Sequence, residues 1–244
     1  MRETVDIATG HRCAVILPTL NEAQNVASLI PAIYAELPDA TVIVVDHQSP
    51  DGTADVATGL AARYPTLTVL RLPGRGLANA YRAGFAYTVA QGFDFVIQMD
   101  ADGSHDPALL GAFVRSSTDF DLVVGSRYLP TQGRPHCHWL RRALSLLAHG
   151  YVRAWLRIPL SDVTSGYRLL SRPFIEQLLA ADFSSVGYSV QIETAWIATR
   201  QHWRIGEVPI EFLARTNGRS KLSLRVLAEA FWRVPCLRFG GLAR

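Results

Sequence analysis

Short runs of aliphatic and β-branched residues alternate along this chain with longer stretches in which apolar side chains recur every three or four positions. Cys13 to Leu17 (CAVIL), Thr41 to Asp46 (TVIVVD), Leu67 to Leu72, Phe93 to Asp100 (FDFVIQMD) and Leu122 to Ser126 (LVVGS) read as strands. Between them, Glu22 to Glu36, Ala54 to Arg63 and Leu77 to Ala90 carry helical periodicity. Strands that are apolar throughout are buried on both faces, and strands separated by helices build a mostly parallel sheet with helices on both sides. The expected class is therefore α/β, with ligands at the carboxyl ends of the strands. After about residue 130 the pattern turns mostly helical, with one more strand near Arg204 to Phe212. Neither an internal repeat nor a low-complexity linker is present, so residues 1–244 are expected to form one domain whose C-terminal part completes the site.

Composition narrows the class. Hydrophobic residues make up 49% of the chain and charged residues 18%, which supports a sizeable core and excludes wholesale disorder. The net charge of +3 suits a protein that handles phosphates and is too small for nucleic acid as a partner. Cys13, Cys137 and Cys236 are widely spaced and form no CxxC, so free thiols in a reducing cytosol are expected. The first residues lack the apolar core of a signal peptide, and no run reaches the ~18 apolar residues that a membrane-spanning helix needs. A soluble or peripheral protein is expected.

The sharpest candidate chemistry is QMDADGSHDP, residues 98–107. Asp100 and Asp102 follow a buried strand, and side chains at i and i+2 of an extended segment point the same way. Two adjacent carboxylates repel unless a cation sits between them, and oxygen-only ligands suit Mg²⁺ or Mn²⁺. Such an ion can bridge a diphosphate and stabilise a leaving group. The alternative is a solvated acidic turn that caps the helix begun by Pro107. In VVDHQSPDGT (44–53), Asp46 ends a strand where it can accept hydrogen bonds from a base or ribose, while Asp51 and Thr53 stand where helix caps stand. In LPTLNE (17–22), Glu22 sits at a helix start, where the dipole favours a carboxylate in any case. GRGLANAYRAG (74–84) lacks the middle glycine of a dinucleotide fingerprint and follows the third strand, so it reads as a tight turn into a closely packed helix.

The segment 139–157 (WLRRALSLLAHGYVRAWLR) sets Arg141 and Ser145 on one helix face beside an apolar stripe of Leu140, Leu144, Leu147, Tyr151 and Trp155. Arginines with Trp and Leu at this spacing suit a membrane-surface helix; an ordinary core-packing helix is the alternative. The run 222–234 is amphipathic as well and suits a membrane surface or a partner protein.

Taken in order, PTxNE, VVDxxSPDGT, MDAD and GSRY make the chain resemble the family 2 glycosyltransferases with a GT-A fold. SDVTSGYRLLSR (161–172), GYSVQIETAW (187–196) and EVPIEFLARTNGRSKLS (207–223) resemble their polyprenyl-phosphate mannosyltransferase branch, the dolichol-phosphate mannose synthase group. The resemblance implies a metal-dependent inverting transfer of mannose from GDP-mannose to a polyprenyl phosphate, giving a β-linked product. It implies a nucleotide-binding half at 13–130 and an acceptor-binding, membrane-facing part at 131–244. Pro18, Glu22, Val44 and Asp46 would meet the nucleoside, and Asp100, Ala101 and Asp102 the diphosphate and the metal. Ser104 stands where many relatives carry a metal-binding glutamine and joins that group directly or through a water. Arg127, Arg141 and Ser145 would hold the acceptor phosphate, with Asp102, Arg127 and Arg141 as the catalytic set. Arg215 and Lys221 would close over the nucleotide.

Leu20 replaces a common tyrosine and His47-Gln48 a common acidic-amide pair, which alters detail around the nucleoside. The expected location is the cytoplasmic face of a membrane, with a protein anchor as a possible partner. Rival readings are transfer of another sugar, such as glucose from UDP-glucose, to the same acceptor; transfer to a saccharide or natural-product hydroxyl with Glu193 or Asp162 as base; and a sugar-nucleotide-binding regulatory subunit without turnover.

Overall fold

The computed structural model describes residues 11–74, 76–130, 150–181, 189–211, 234–235 and 238. In chain order the elements are β1 (Cys13–Thr19), α1 (Ala23–Glu36), β2 (Thr41–Asp46), α2 (Thr53–Leu60), β3 (Thr68–Arg71), α3 (Leu77–Gln91), β4 (Phe95–Gln98), a 3₁₀ turn (Pro107–Leu109) leading into α4 (Leu110–Ser116), and β5 (Leu122–Ser126). Helical residues 150–156 (α5), β6 (Arg168–Ser171), α6 (Arg172–Ala180), α7 (Ser189–Arg200) and β7 (Ile205–Pro209) follow. The strands form one sheet in the order β3-β2-β1-β4-β6-β5-β7. All pairings are parallel except the two made by β6, which runs antiparallel between β4 and β5.

The layers follow from alternation along the strands. Ala14, Ile16, Ile43, Val45, Val96, Val124 and Leu170 face one core, against α3, α5, α6 and α7. Val15, Leu17, Val42, Val44, Ile97, Val123 and Leu169 face the other, against α1, α2 and α4. Both faces are covered, as the unbroken apolar runs require. β6 was not expected: its core, Arg-Leu-Leu, is too short and too mixed to stand out as a strand, and its place between β4 and β5 comes from long-range pairing alone.

Gly74 and Gly76, at φ +83° and +130°, make the tight turn into α3, and Gly84 lets that helix settle onto β1. A Cβ on Gly84 would stand 2.8 Å from Ile16 Cδ1. Gly84→Ala is thus expected to destabilise the protein by about 1–3 kcal/mol through overpacking, a fall of roughly 2–12 °C in melting temperature. A thermal melt indistinguishable from wild type would show that β1 and α3 yield more readily than this packing implies. Cys13 is a free thiol whose pKa burial pushes up, while Cys137 and Cys236 lie outside the described residues. No described helix is long and apolar enough to cross a membrane.

Candidate active site

The parallel register brings the carboxyl ends of β1, β2, β4 and β5 to one edge of the sheet. Thr19 pairs with Asp46 and Ile16 with Gln98, so Pro18, Asp46 and the segment from Met99 onward sit side by side. Antiparallel β6 begins at this edge, because Arg168 pairs with both Gln98 and Val124. The stretch 161–167 therefore enters the site opposite the acidic loop.

Asp46 is fully enclosed. Thr19 Oγ1 donates to its Oδ1 at 2.9 Å, and Ser49 donates through its backbone N–H to Oδ2 at 2.8 Å and through its hydroxyl to Oδ1 at 2.5 Å. Asp51 caps: its carboxylate accepts from Ala23 N at the start of α1 and from Thr53 N and Oγ1 at the start of α2. Glu22 is half-buried at the start of α1, where Oε2 accepts from Asn25 Nδ2 at 2.6 Å and its backbone N–H donates to Thr53 Oγ1. Pro18 is half-buried, whereas the Val44 side chain is fully enclosed in the core and reaches the edge only through the strand that carries Asp46.

Asp100 and Asp102 do not act as helix caps. That task falls to Asp106, which accepts from Ala108 N at 3.0 Å. Asp102 Oδ1 accepts from Ser104 N at 3.1 Å, and the Ser104 hydroxyl is buried with no hydrogen-bond partner among the described residues. Asp100 N–H donates to His105 Nδ1 at 3.1 Å, and His105 Nε2 lies 3.9 Å from Asp100 Oδ2. Burial lowers the pKa of His105 against the pull of Asp100 and Asp102, which keeps the imidazole neutral and Nδ1 an acceptor. His105 stacks on Tyr167, with ring centroids 4.8 Å apart, and Tyr167 Oη donates to Asp106 O at 3.1 Å.

This donor set fits a divalent cation. Asp100, Asp102 and the orphaned Ser104 hydroxyl offer only oxygen, the choice of Mg²⁺ or Mn²⁺. Among the described residues no group of three or more His, Cys, Asp or Glu forms a closed cage. An ion held by two carboxylates and a substrate diphosphate requires none. Ala101 is buried between the two acids.

Arg127 follows the last residue of β5. Its Nε donates to Asp162 Oδ2 at 2.6 Å, one terminal nitrogen donates to Asp162 Oδ1 at 2.9 Å, and the same nitrogen donates to Thr164 Oγ1 at 2.9 Å. Burial disfavours the charge of Arg127, but the bonds and charge of Asp162 outweigh that and hold the guanidinium protonated. Its side chain remains 30% exposed whereas Asp162 is fully buried. Asp162 therefore orients Arg127, which corrects its alternative reading as a general base: both oxygens are engaged by the guanidinium. Glu207 on β7 supports the pair from below, its Oε1 accepting from Ser161 N, Ser161 Oγ and Asp162 N. Glu193, the other candidate base, is 5% exposed on α7. Arg141, Ser145, Arg215 and Lys221 lie outside the described residues.

His105, Gly166, Arg168 and Glu207 escaped sequence reasoning. The signals were there in SHDP, SGYR and EVPI, but as single residues without a spacing that assigns chemistry.

The model of the family described as Glycosyl transferase family 2 matches residues 14–179. Polyprenol monophosphomannose synthase of Mycolicibacterium smegmatis is 36% identical over 226 residues, covering 91% of this chain and 85% of that protein. Undecaprenyl-phosphate mannosyltransferase of Micrococcus luteus is 36% identical over 236 residues, covering 96% of each. Among solved structures, glucosyl-3-phosphoglycerate synthase from Mycobacterium tuberculosis in complex with phosphoglyceric acid aligns with a TM-score of 0.71 at 22% identity, covering 98% of this chain and 83% of that one. The same enzyme with Mn²⁺, UDP-glucose and phosphoglyceric acid aligns at 0.69. At this identity the likeness concerns the fold, a GT-A-like mixed sheet.

Proposed function

The chain belongs to glycosyl transferase family 2, and we propose that it transfers mannose from GDP-mannose to a polyprenyl phosphate at the cytoplasmic face of a membrane. The observation that carries this reading is 36% identity, over nearly the whole chain, to two enzymes named for mannose transfer to such lipids. The edge geometry supports the chemistry: an acidic pair and an oriented arginine stand at the carboxyl ends of β4 and β5, the strands that flank β6, where a sugar diphosphate and a phosphate nucleophile can be held together.

A phosphate monoester has a second pKa of about 6 and is largely dianionic at pH 7, so it needs no general base. One phosphate oxygen attacks C1 of the sugar, the bond from C1 to the diphosphate oxygen breaks, and the nucleoside diphosphate leaves with the electron pair. Attack opposite the leaving group turns an α-linked donor into a β-linked product. Asp100 and Asp102 would hold a divalent cation, which would supply positive charge to the departing diphosphate. In this reading Pro18, Glu22 and Asp46 bound the nucleoside pocket, Arg127 with Arg141 and Ser145 positions the acceptor phosphate, and Arg215 and Lys221 shield the nucleotide. The membrane is met through surface segments or an anchoring protein.

A panel of GDP-mannose and UDP-glucose, each with polyprenyl phosphate and Mg²⁺ or Mn²⁺, tests this. Mannosyl lipid from GDP-mannose is expected. Equal or faster turnover of the uridine donor would overturn the donor assignment, and transfer to a free hydroxyl acceptor in preference to the lipid phosphate would overturn the acceptor. Arg141→Ala is expected to lower kcat/KM for the lipid phosphate about ten- to a hundredfold, the worth of one charge-assisted contact, with nucleotide binding nearly unchanged. A change under about twofold would leave Arg141 without contact to phosphate.

A further inference from the structure

We propose that Gly166, Tyr167 and Arg168 form a positioning element that moulds the acidic loop and fixes the Asp100 carboxylate for its cation. The inference rests on the reading of Asp100 and Asp102 as the metal-holding pair.

Arg168 is fully buried. Its guanidinium contacts backbone carbonyls: Nε donates to Ser165 O at 2.8 Å, one terminal nitrogen to Val163 O at 2.9 Å, and the other to Gln191 O at 2.7 Å. One planar fork thus ties the entry loop of β6 to the first turn of α7. A buried arginine spent wholly on main-chain oxygens is costly to desolvate, and burial lowers its pKa to about 10. What it gives in return is a single conformation for residues 163–165.

The two residues before it use that conformation. The Gly166 Cα is packed against the acid: a Cβ there would stand 3.0 Å from Asp100 Oδ1, 3.1 Å from Oδ2 and 3.3 Å from Cγ. Tyr167 stacks on His105, which holds the Asp100 backbone N–H, and its hydroxyl ties down Asp106 O. The acidic loop is therefore braced behind its main chain by Tyr167 through His105, and behind the Asp100 carboxylate by Gly166. Asp100 itself is only partly enclosed, its side chain 31% exposed, and Gly166 packs against its carboxylate. Gly166 is not in the left-handed region, so an alanine there is free of backbone strain and acts mainly on Asp100.

The test is Mn²⁺ titration of the full chain, followed by electron paramagnetic resonance in the presence of GDP and, in a parallel arm, UDP. Thermal melts are recorded without metal. Gly166→Ala is expected to weaken Mn²⁺ binding about 10–100-fold, the usual effect of disturbing a ligand's support, while the metal-free melt stays near wild type. Arg168→Lys, which cannot reach all three carbonyls at once, is expected to weaken Mn²⁺ binding in the same direction. If Arg168→Lys does not fold, Gly166→Ala still decides. Unchanged Mn²⁺ affinity in Gly166→Ala, alongside lost binding in Asp102→Ala, would overturn the positioning role and leave the metal site standing. Unchanged affinity in Asp102→Ala as well would overturn the metal site itself.

Discussion

Asp102→Ala is expected to lower kcat for mannosyl transfer by about 10²–10³-fold, the effect of losing a main electrostatic stabiliser of the leaving group, while the protein stays folded. Asp102 is 9% exposed, and its Oδ1 accepts a hydrogen bond from Ser104 N–H. Losing that bond costs about 0.5–1.5 kcal/mol, and removing one charge of an acidic pair relieves repulsion on Asp100. Initial rates measured with GDP-mannose, polyprenyl phosphate and Mn²⁺, beside a thermal melt, check both halves. Wild-type turnover in metal-free buffer, or in the mutant, would remove the metal from the mechanism.

Arg127→Ala should act on stability as strongly as on activity. Asp162 is fully buried and takes two hydrogen bonds from the Arg127 guanidinium. Removing the guanidinium takes the Arg127 countercharge from that buried carboxylate, which keeps the hydrogen bonds from Arg127 N, Thr164 N and Thr164 Oγ1, at a cost of about 3–5 kcal/mol, or roughly 6–20 °C in melting temperature for a chain of this size. Replacing both partners, as in Arg127→Met with Asp162→Leu, removes the buried charge, and the melting temperature should recover most of the loss. Turnover should not recover, because in the proposed mechanism the guanidinium also meets phosphate. The two roles thus separate in one experiment. If the double variant regains activity along with stability, Arg127 is structural only. If the single variant melts like wild type, the pair contributes far less than its burial implies.

Much of the candidate site was legible because its acids stand at strand ends. Asp100-Ala101-Asp102 follows an unmistakable apolar run, and so does Asp46. What the motif could not say is which acids serve the fold. Asp51 stands where a helix cap stands and serves as one, whereas Asp106, which the sequence did not single out, caps the turn that leads into α4. Asp162 read as a possible base and turned out to be the partner that orients Arg127, thirty-five positions earlier in the chain.

By itself, the sequence determined the elements and their faces. Apolar runs and the period-3.6 pattern are local properties, so six of the seven strands, the helices α1 to α3 and the tight turn before α3 could be placed without coordinates. Tertiary structure alone decided the insertion of antiparallel β6 between β4 and β5, and with it the whole wall opposite the acidic loop. Sheet pairing joins residues about seventy positions apart through main-chain N–H and C=O groups that nearly every residue carries, so no spacing in the sequence records it. The same holds for Arg168. A lone arginine in an apolar stretch reads as a surface charge until the fold closes three carbonyls around it.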